Sequence, residues 1–286
     1  MKIRELLAGD KFTLSFEVFP PKTQDNYESV EHATREIAAL KPDFMSVTYG
    51  AGGGTSAYTV SIAKDLQELH NVPMLAHLTC ITSTKEKITS QLQLLKENGI
   101  ENIMALRGDI PDGFDVSDCS YHYASELIAD IKAYGDFCIG GACYPETHPD
   151  ATTQKEDILN IKKKVDAGCE FLTTQMFFDN NILYNYLFKL REAGITVPVL
   201  PGIMPIVNAN QMKRTLKLSG TQLPIRFVRI LDTFGESKAA MRQAGIAYAT
   251  EQIVDLYANG VKNIHVYSMN NPSVAEQIMK NVSDII

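Results

Sequence analysis

The chain has 286 residues, of which 45% are hydrophobic and 21% charged, with a net charge of −7. The acidic balance argues against a nucleic-acid surface but leaves room for a local basic pocket that takes an acidic small molecule. Five cysteines (Cys80, Cys119, Cys138, Cys143, Cys169) are an odd number with no CxxC pair, so reduced, mostly buried thiols are expected and no zinc knuckle is indicated.

Strand-like runs fall at 12–19, 44–49, 73–80, 102–107, 137–144, 171–178, 197–204 and 263–269. Amphipathic stretches separate most of them, as with Val30, Ile37 and Leu40 after the first run and Ile158, Ile161 and Val165 after the fifth. Eight strands with intervening helices predict an α/β chain closed into a parallel (β/α)8 barrel, and the length suits a fold of roughly 250 residues. Ser83 with Glu86, and Thr153 with Glu156, have capping-box spacing. Gly99, Gly168, Gly194 and Gly260 each stand between a helical stretch and an apolar run, where a left-handed cap turns the chain back into the sheet. Longer connections are expected at 110–121 and at 205–262, the latter an extra helical region before the last strand. With no Pro/Ser-rich linker and no shift in composition, residues 1–286 are expected to form one domain. No apolar stretch approaches membrane-spanning length and the first residues lack a signal-peptide core, which predicts a cytoplasmic chain with no membrane partner.

In such a barrel the chemistry sits at the carboxyl ends of the strands. Glu17 ends the first run, sharing one face with Thr13 and Ser15 while Phe12, Leu14, Phe16 and Val18 share the other. It reads either as a general acid whose pKa is raised by desolvation, or as a carboxylate paired with an Arg or Lys. Arg107-Gly108-Asp109 places opposite charges two residues apart on one side of a strand end and reads as a ligand site. Gly50-Ala51-Gly52-Gly53-Gly54-Thr55 follows a strand and precedes a helix, but matches neither the dinucleotide fingerprint nor a P-loop and also fits a tight turn. His77 and Cys80 are three apart on a strand, hence on opposite faces, and form no metal pair. The run Lys162-Lys163-Lys164 fits a solvated helix face or an anion site.

Read in order, seven stretches resemble those of methylenetetrahydrofolate reductases consisting of the catalytic barrel. They are Ser15-Phe16-Glu17-Val18-Phe19-Pro20-Pro21-Lys22, Ser46-Val47-Thr48-Tyr49-Gly50-Ala51, His77-Leu78-Thr79-Cys80, Leu106-Arg107-Gly108-Asp109, Tyr144-Pro145-Glu146 with His148-Pro149, Thr174-Gln175-Met176-Phe177-Phe178-Asp179, and Pro201-Gly202-Ile203-Met204-Pro205. The resemblance implies ping-pong reduction of 5,10-methylenetetrahydrofolate to 5-methyltetrahydrofolate, with hydride passing from NAD(P)H through FAD. By the same resemblance Glu17 is the general acid and Asp109 the acidic residue near flavin and pterin. Gln175 and Gln211 are pterin-side contacts, and Thr48 touches the nicotinamide. FAD is then held by Tyr49, Ala51, His77, Arg107, Gly108, Asp109, Tyr123, Ala124, Tyr144, His148, Ala151, Asp157, Asn160, Lys163 and Lys164. A homo-oligomer is also implied, and some relatives work with a partner subunit.

Two positions depart from the pattern. Thr215 stands where members carry an aromatic that stacks on the substrates, and Asn271 where they carry an arginine for the folate's glutamate tail, and losing that planar cation weakens carboxylate recognition. The alternatives are the flavin-free pterin-binding barrel of a folate/corrinoid methyltransferase, a reductase subunit fed by a partner protein, and a subunit that keeps FAD only for assembly.

Overall fold

Alternation in the first strand sets up the whole barrel. Leu14, Phe16 and Val18 of β1 (Thr13–Val18) join the apolar layer under the helices, whereas Ser15 and Glu17 contact side chains from other strands inside the sheet. The computed structural model describes every residue except 22, 50–55, 211, 213–215 and 217–218, and of 56 and 57 the backbone alone. The remaining strands are β2 (Phe44–Val47), β3 (Met74–Thr79), β4 (Asn102–Leu106), β5 (Cys138–Cys143), β6 (Phe171–Thr174), β7 (Val199–Leu200), β8 (Gly202–Ile203) and β9 (Asn263–Tyr267). Their order is β7-β6-β5-β4-β3-β2-β1-β9-β8, and every pairing is parallel.

The expected seventh run is two short strands interrupted at Pro201, which has no N–H to give a ladder. Its first half pairs with β6 and its second with β9, while the Pro201 carbonyl accepts from His265 N–H at 2.9 Å. One broken segment therefore supplies both edges, and the nine strands form a nearly closed barrel, the expected (β/α)8 architecture. The sixth run is shorter than expected. Beyond Thr174 the chain leaves the sheet, and Met176 and Phe178 pack with Phe227 and Tyr248.

Around the strands lie α1 (Ile3–Leu7), α2 (Tyr27–Ala39), α3 (Ser56–His70), α4 (Lys85–Glu97), α5 (Ala124–Tyr134), α6 (Gln154–Asp166), α7 (Asn180–Glu192), α8 (Ile225–Phe234), α9 (Lys238–Ala258) and α10 (Pro272–Val282). The extra helical region contains α8 and α9, as expected. Thr84 rather than Ser83 caps α4, accepting from Lys87 N–H at 3.3 Å. Thr153 caps α6, but the Glu156 carboxylate returns to Thr152 instead of to the cap. All four helix-end glycines have positive φ, from 69° at Gly99 to 120° at Gly168. Among the described residues no helix is long and apolar enough to cross a membrane. The five cysteines are free thiols, with only Cys119 partly exposed.

The short helix α1 closes the barrel floor. Ile3 and Leu7 pack on Phe44, Leu75, Met104, Phe171 and Leu200, while Ile3 N–H donates to Asn102 Oδ1 at 2.8 Å. Full burial of one such isoleucine contributes about 1.5–3 kcal/mol. The opposite, carboxyl-terminal end of the barrel opens into a cavity walled by strand ends.

Candidate active site

At that end lies a cavity of about 400 Å³, within the range of small-molecule pockets. Eight of the expected site residues line it: Glu17, Thr48, Tyr49, His77, Gly108, Asp109, Tyr144 and Gln175. They share it with Thr79, Met104, Met176, Met204, Tyr267 and Met269, which the sequence reading did not single out as site residues. Ala51 and Gln211, together with Thr215 and the glycine-rich stretch 50–55, lie outside the described residues.

Glu17 projects from the end of β1 with its side chain 21% exposed. Its Oε2 lies 3.4 Å from His77 Nε2, accepts from Ser46 Oγ at 3.4 Å and is 3.8 Å from His265 Nε2. Burial pushes the carboxyl up, but His265 at 3.8 Å, the charge of His77 and the Ser46 hydroxyl outweigh it, so its pKa lies below the ordinary value. This corrects both sequence readings: desolvation alone does not set the acid, and its partners are histidines rather than Arg or Lys. His77 is pushed down, by burial first, against the opposing pull of Glu17.

The expectation that Arg107 and Asp109 share one side of a strand also fails. The strand stops at Leu106, and Gly108, at φ 87°, turns the backbone where a Cβ would stand 2.9 Å from Thr79 Cβ. Arg107 swings to Asp150 at 2.7 Å, and Asp109 is left facing the cavity. Tyr144 packs edge-on against His148 at 4.5 Å, and its phenol is pushed up by burial and then by Asp109. Gln175 turns its Oε1 to its neighbour's N–H at 2.9 Å. Across the cavity Tyr267 donates to the Thr174 carbonyl at 2.6 Å.

A second group lies beyond the cavity lining. His148 N–H donates to Asp157 at 3.1 Å and Lys163 to Asn160 at 3.0 Å. Lys164 reaches the carbonyl of the cavity-lining Ala142 at 2.7 Å, and its ammonium is pushed down by burial. Lys162 turns the other way, to Asp166 at 3.0 Å, so the basic run splits rather than forming one patch. Ala151 closes the turn onto the His148 carbonyl at 2.9 Å. Tyr123 is exposed at the start of α5, with Ala124 buried behind it. Asn271 caps α10, accepting from Val274 N–H at 3.3 Å and from Ser273 Oγ at 2.9 Å, so its amide serves the helix.

His265 and Ser46 are functional candidates that the sequence reading passed over. The available signal was alternation in the last run, which puts Asn263, His265 and Tyr267 on one face just as it puts Thr13, Ser15 and Glu17 on the other strand's inner face.

The methylenetetrahydrofolate reductase family model matches residues 2–283. Methylenetetrahydrofolate reductase (NADH) 1 of Zea mays is 37% identical over 98% of this chain, which spans 50% of that protein. The chain thus covers about half the length of its plant relatives. The 5,10-methylenetetrahydrofolate reductase of Escherichia coli is 34% identical over 94% of this chain and 90% of that protein. Among solved structures, a Clostridium thermocellum protein that binds two copies of 5-methyl-5,6,7,8-tetrahydrofolic acid superposes with a TM-score of 0.63 at 14% identity, covering 100% of this chain and 99% of that one, a likeness of fold alone. With the match running almost from end to end, and with relatives identical at about a third of the aligned positions, the chain belongs to the methylenetetrahydrofolate reductase family.

Proposed function

We propose that this barrel, acting as one catalytic domain, reduces 5,10-methylenetetrahydrofolate to 5-methyltetrahydrofolate using FAD and NAD(P)H. The observation that carries the reading is the placing of two carboxylates, Glu17 and Asp109, in one cavity whose other walls are mostly methionine, tyrosine and threonine, with His77 and Gln175 among them. Such a surface suits a flat heterocycle with a few fixed polar contacts.

The residues present fit a flavin. His77 Nε2 is buried with no hydrogen bond among the described residues, and although the Glu17 carboxylate lies 3.4 Å away it keeps the capacity to bond a ligand atom. Gly108 keeps one wall low, Arg107, Lys163 and Lys164 offer charge for a diphosphate, and His148 a ring nitrogen. When bound, FAD supplies a two-electron relay between nicotinamide and folate.

The remaining chemistry falls to the chain. Glu17 delivers a proton to the folate nitrogen whose C–N bond breaks as the five-membered ring opens. A flat substrate lying over Glu17 removes its remaining water and strengthens the one influence that favours the protonated acid. Asp109, at the cavity edge, stabilises the resulting cation. Gln175 holds the pterin edge, and Thr48 the nicotinamide.

Because one cavity serves both substrates, they must occupy it in turn. Initial rates measured at several fixed folate concentrations are expected to give parallel double-reciprocal lines, and intersecting lines would contradict the shared cavity.

A further inference from the structure

His265 lies one layer deeper in the barrel than Glu17 and is 1% exposed. Its ring stacks on Phe44 at 5.9 Å and meets Tyr267 edge-on at 5.6 Å, so it touches neither solvent nor the cavity. Both ring nitrogens are nevertheless engaged. Nδ1 is 2.7 Å from Ser15 Oγ, and Nε2 is 3.2 Å from Ser46 Oγ. The Ser15 hydroxyl donates to the Ile264 carbonyl at 3.1 Å, which leaves its oxygen to accept from Nδ1–H. The second nitrogen therefore faces Ser46 and Glu17, and Ser46 Oγ stands between them, 3.2 Å from Nε2 and 3.4 Å from Glu17 Oε2. Titratable groups around the imidazole are Glu17 from β1, His77 from β3 and Tyr267 from β9.

A buried histidine with a fixed tautomer and one outlet is more than a filler of the barrel interior. We propose that His265 is a positioning residue that stores the catalytic proton and passes it to Glu17 through the Ser46 hydroxyl. In the transfer the Nε2–H bond breaks as a new O–H forms on Ser46. The original Ser46 proton moves to Glu17 Oε2, so imidazolium and carboxylate become imidazole and carboxylic acid with no change in electrons. After each turnover solvent at the barrel mouth reprotonates Glu17, which is 21% exposed, and the proton returns to His265 along the same path. This rests on Glu17 being the acid of the proposed reduction.

The test is the pH profile of the folate half-reaction in single turnover, with the nicotinamide half-reaction as control. His265→Gln is expected to slow folate reduction by about tenfold or more and to move the profile towards acid, because the carboxyl must then carry the proton without a second group to supply it. Nicotinamide oxidation is expected to be unchanged. If His265 only holds Glu17 as a carboxylate, its removal lets the carboxyl rise and the profile moves towards alkali, which overturns the proposal. Should His265→Gln not fold, Ser46→Ala removes the bridge and keeps both ionisable groups, and a rate within twofold of wild type overturns the relay. In ¹H–¹⁵N spectra of the folate-free protein the His265 Nε2 resonance is expected to move on Glu17→Gln. An unmoved resonance overturns the pairing itself, whereas a moved resonance in a protein that never reduces folate overturns the functional reading on which the proton's role depends.

Discussion

Oε2 of Glu17 stands 3.4 Å from Nε2 of His77, the two side chains reaching over β2 inside the barrel. Both groups have folded-state pKa values below their ordinary ones, His77 chiefly through burial and Glu17 through its histidine neighbours against the opposing effect of burial. On acidification the unfolded chain therefore takes up protons first, at His77 from its ordinary 6.5 and at Glu17 in the carboxylate range. Stability is expected to fall below pH 6.5 and again through the carboxylate range. Melting temperature against pH checks this: His148, also pushed down by burial, contributes to the first window, so His77→Gln lowers the slope there without abolishing it, and an unchanged slope would contradict the assignment.

Glu17→Gln separates the two halves of the reaction. Flavin reduction by the nicotinamide is expected to survive, since it needs no acid, while folate reduction falls by about 10²–10⁴-fold. Stopped-flow measurement of each half at one pH makes the comparison, and equal loss in both would remove Glu17 from the acid's role.

Asn271 holds the first turn of α10 through its side chain, with Pro272 next to it. Asn271→Ala is expected to destabilise the chain by about 0.5–2 kcal/mol, read from urea unfolding. Flavin reduction should not change, because the Asn271 side-chain oxygen accepts from Val274 N–H and the Ser273 hydroxyl and the residue does not line the cavity.

Gly202 has no room for a side chain, since a Cβ there would stand 2.5 Å from Tyr267 Oη and press on the Thr174 carbonyl. Gly202→Ala is expected to cost about 1–3 kcal/mol and to displace the Tyr267 ring from the cavity wall. A melting temperature equal to wild type would show that the broken strand yields more readily than its packing implies.

Much of this was legible along the chain because strand faces and strand ends carry local signals. Leu14, Phe16 and Val18 alternate with Ser15 and Glu17, and the polar run ends gathered as expected around the barrel mouth. What escaped depends on partners distant in sequence. The interruption at Pro201 matters only because β7 pairs with β6 and β8 with β9. The floor helix α1 is too short to show periodicity, and its role comes from Asn102 and Phe44. The direction of the Glu17 pKa comes from His77 and His265, 60 and 248 positions away, on strands brought together by closure of the barrel. Arg107 and Asp109 misled because a strand's period was extended through a glycine with positive φ.

The central claim is that one cavity binds FAD and carries hydride from a nicotinamide to methylenetetrahydrofolate. We would purify the protein anaerobically, record the flavin absorbance and add NADH. The account predicts that the oxidised-flavin band bleaches and returns when methylenetetrahydrofolate is added. A protein without flavin, or one whose flavin is bleached by NADH but never reoxidised by the folate, would contradict it.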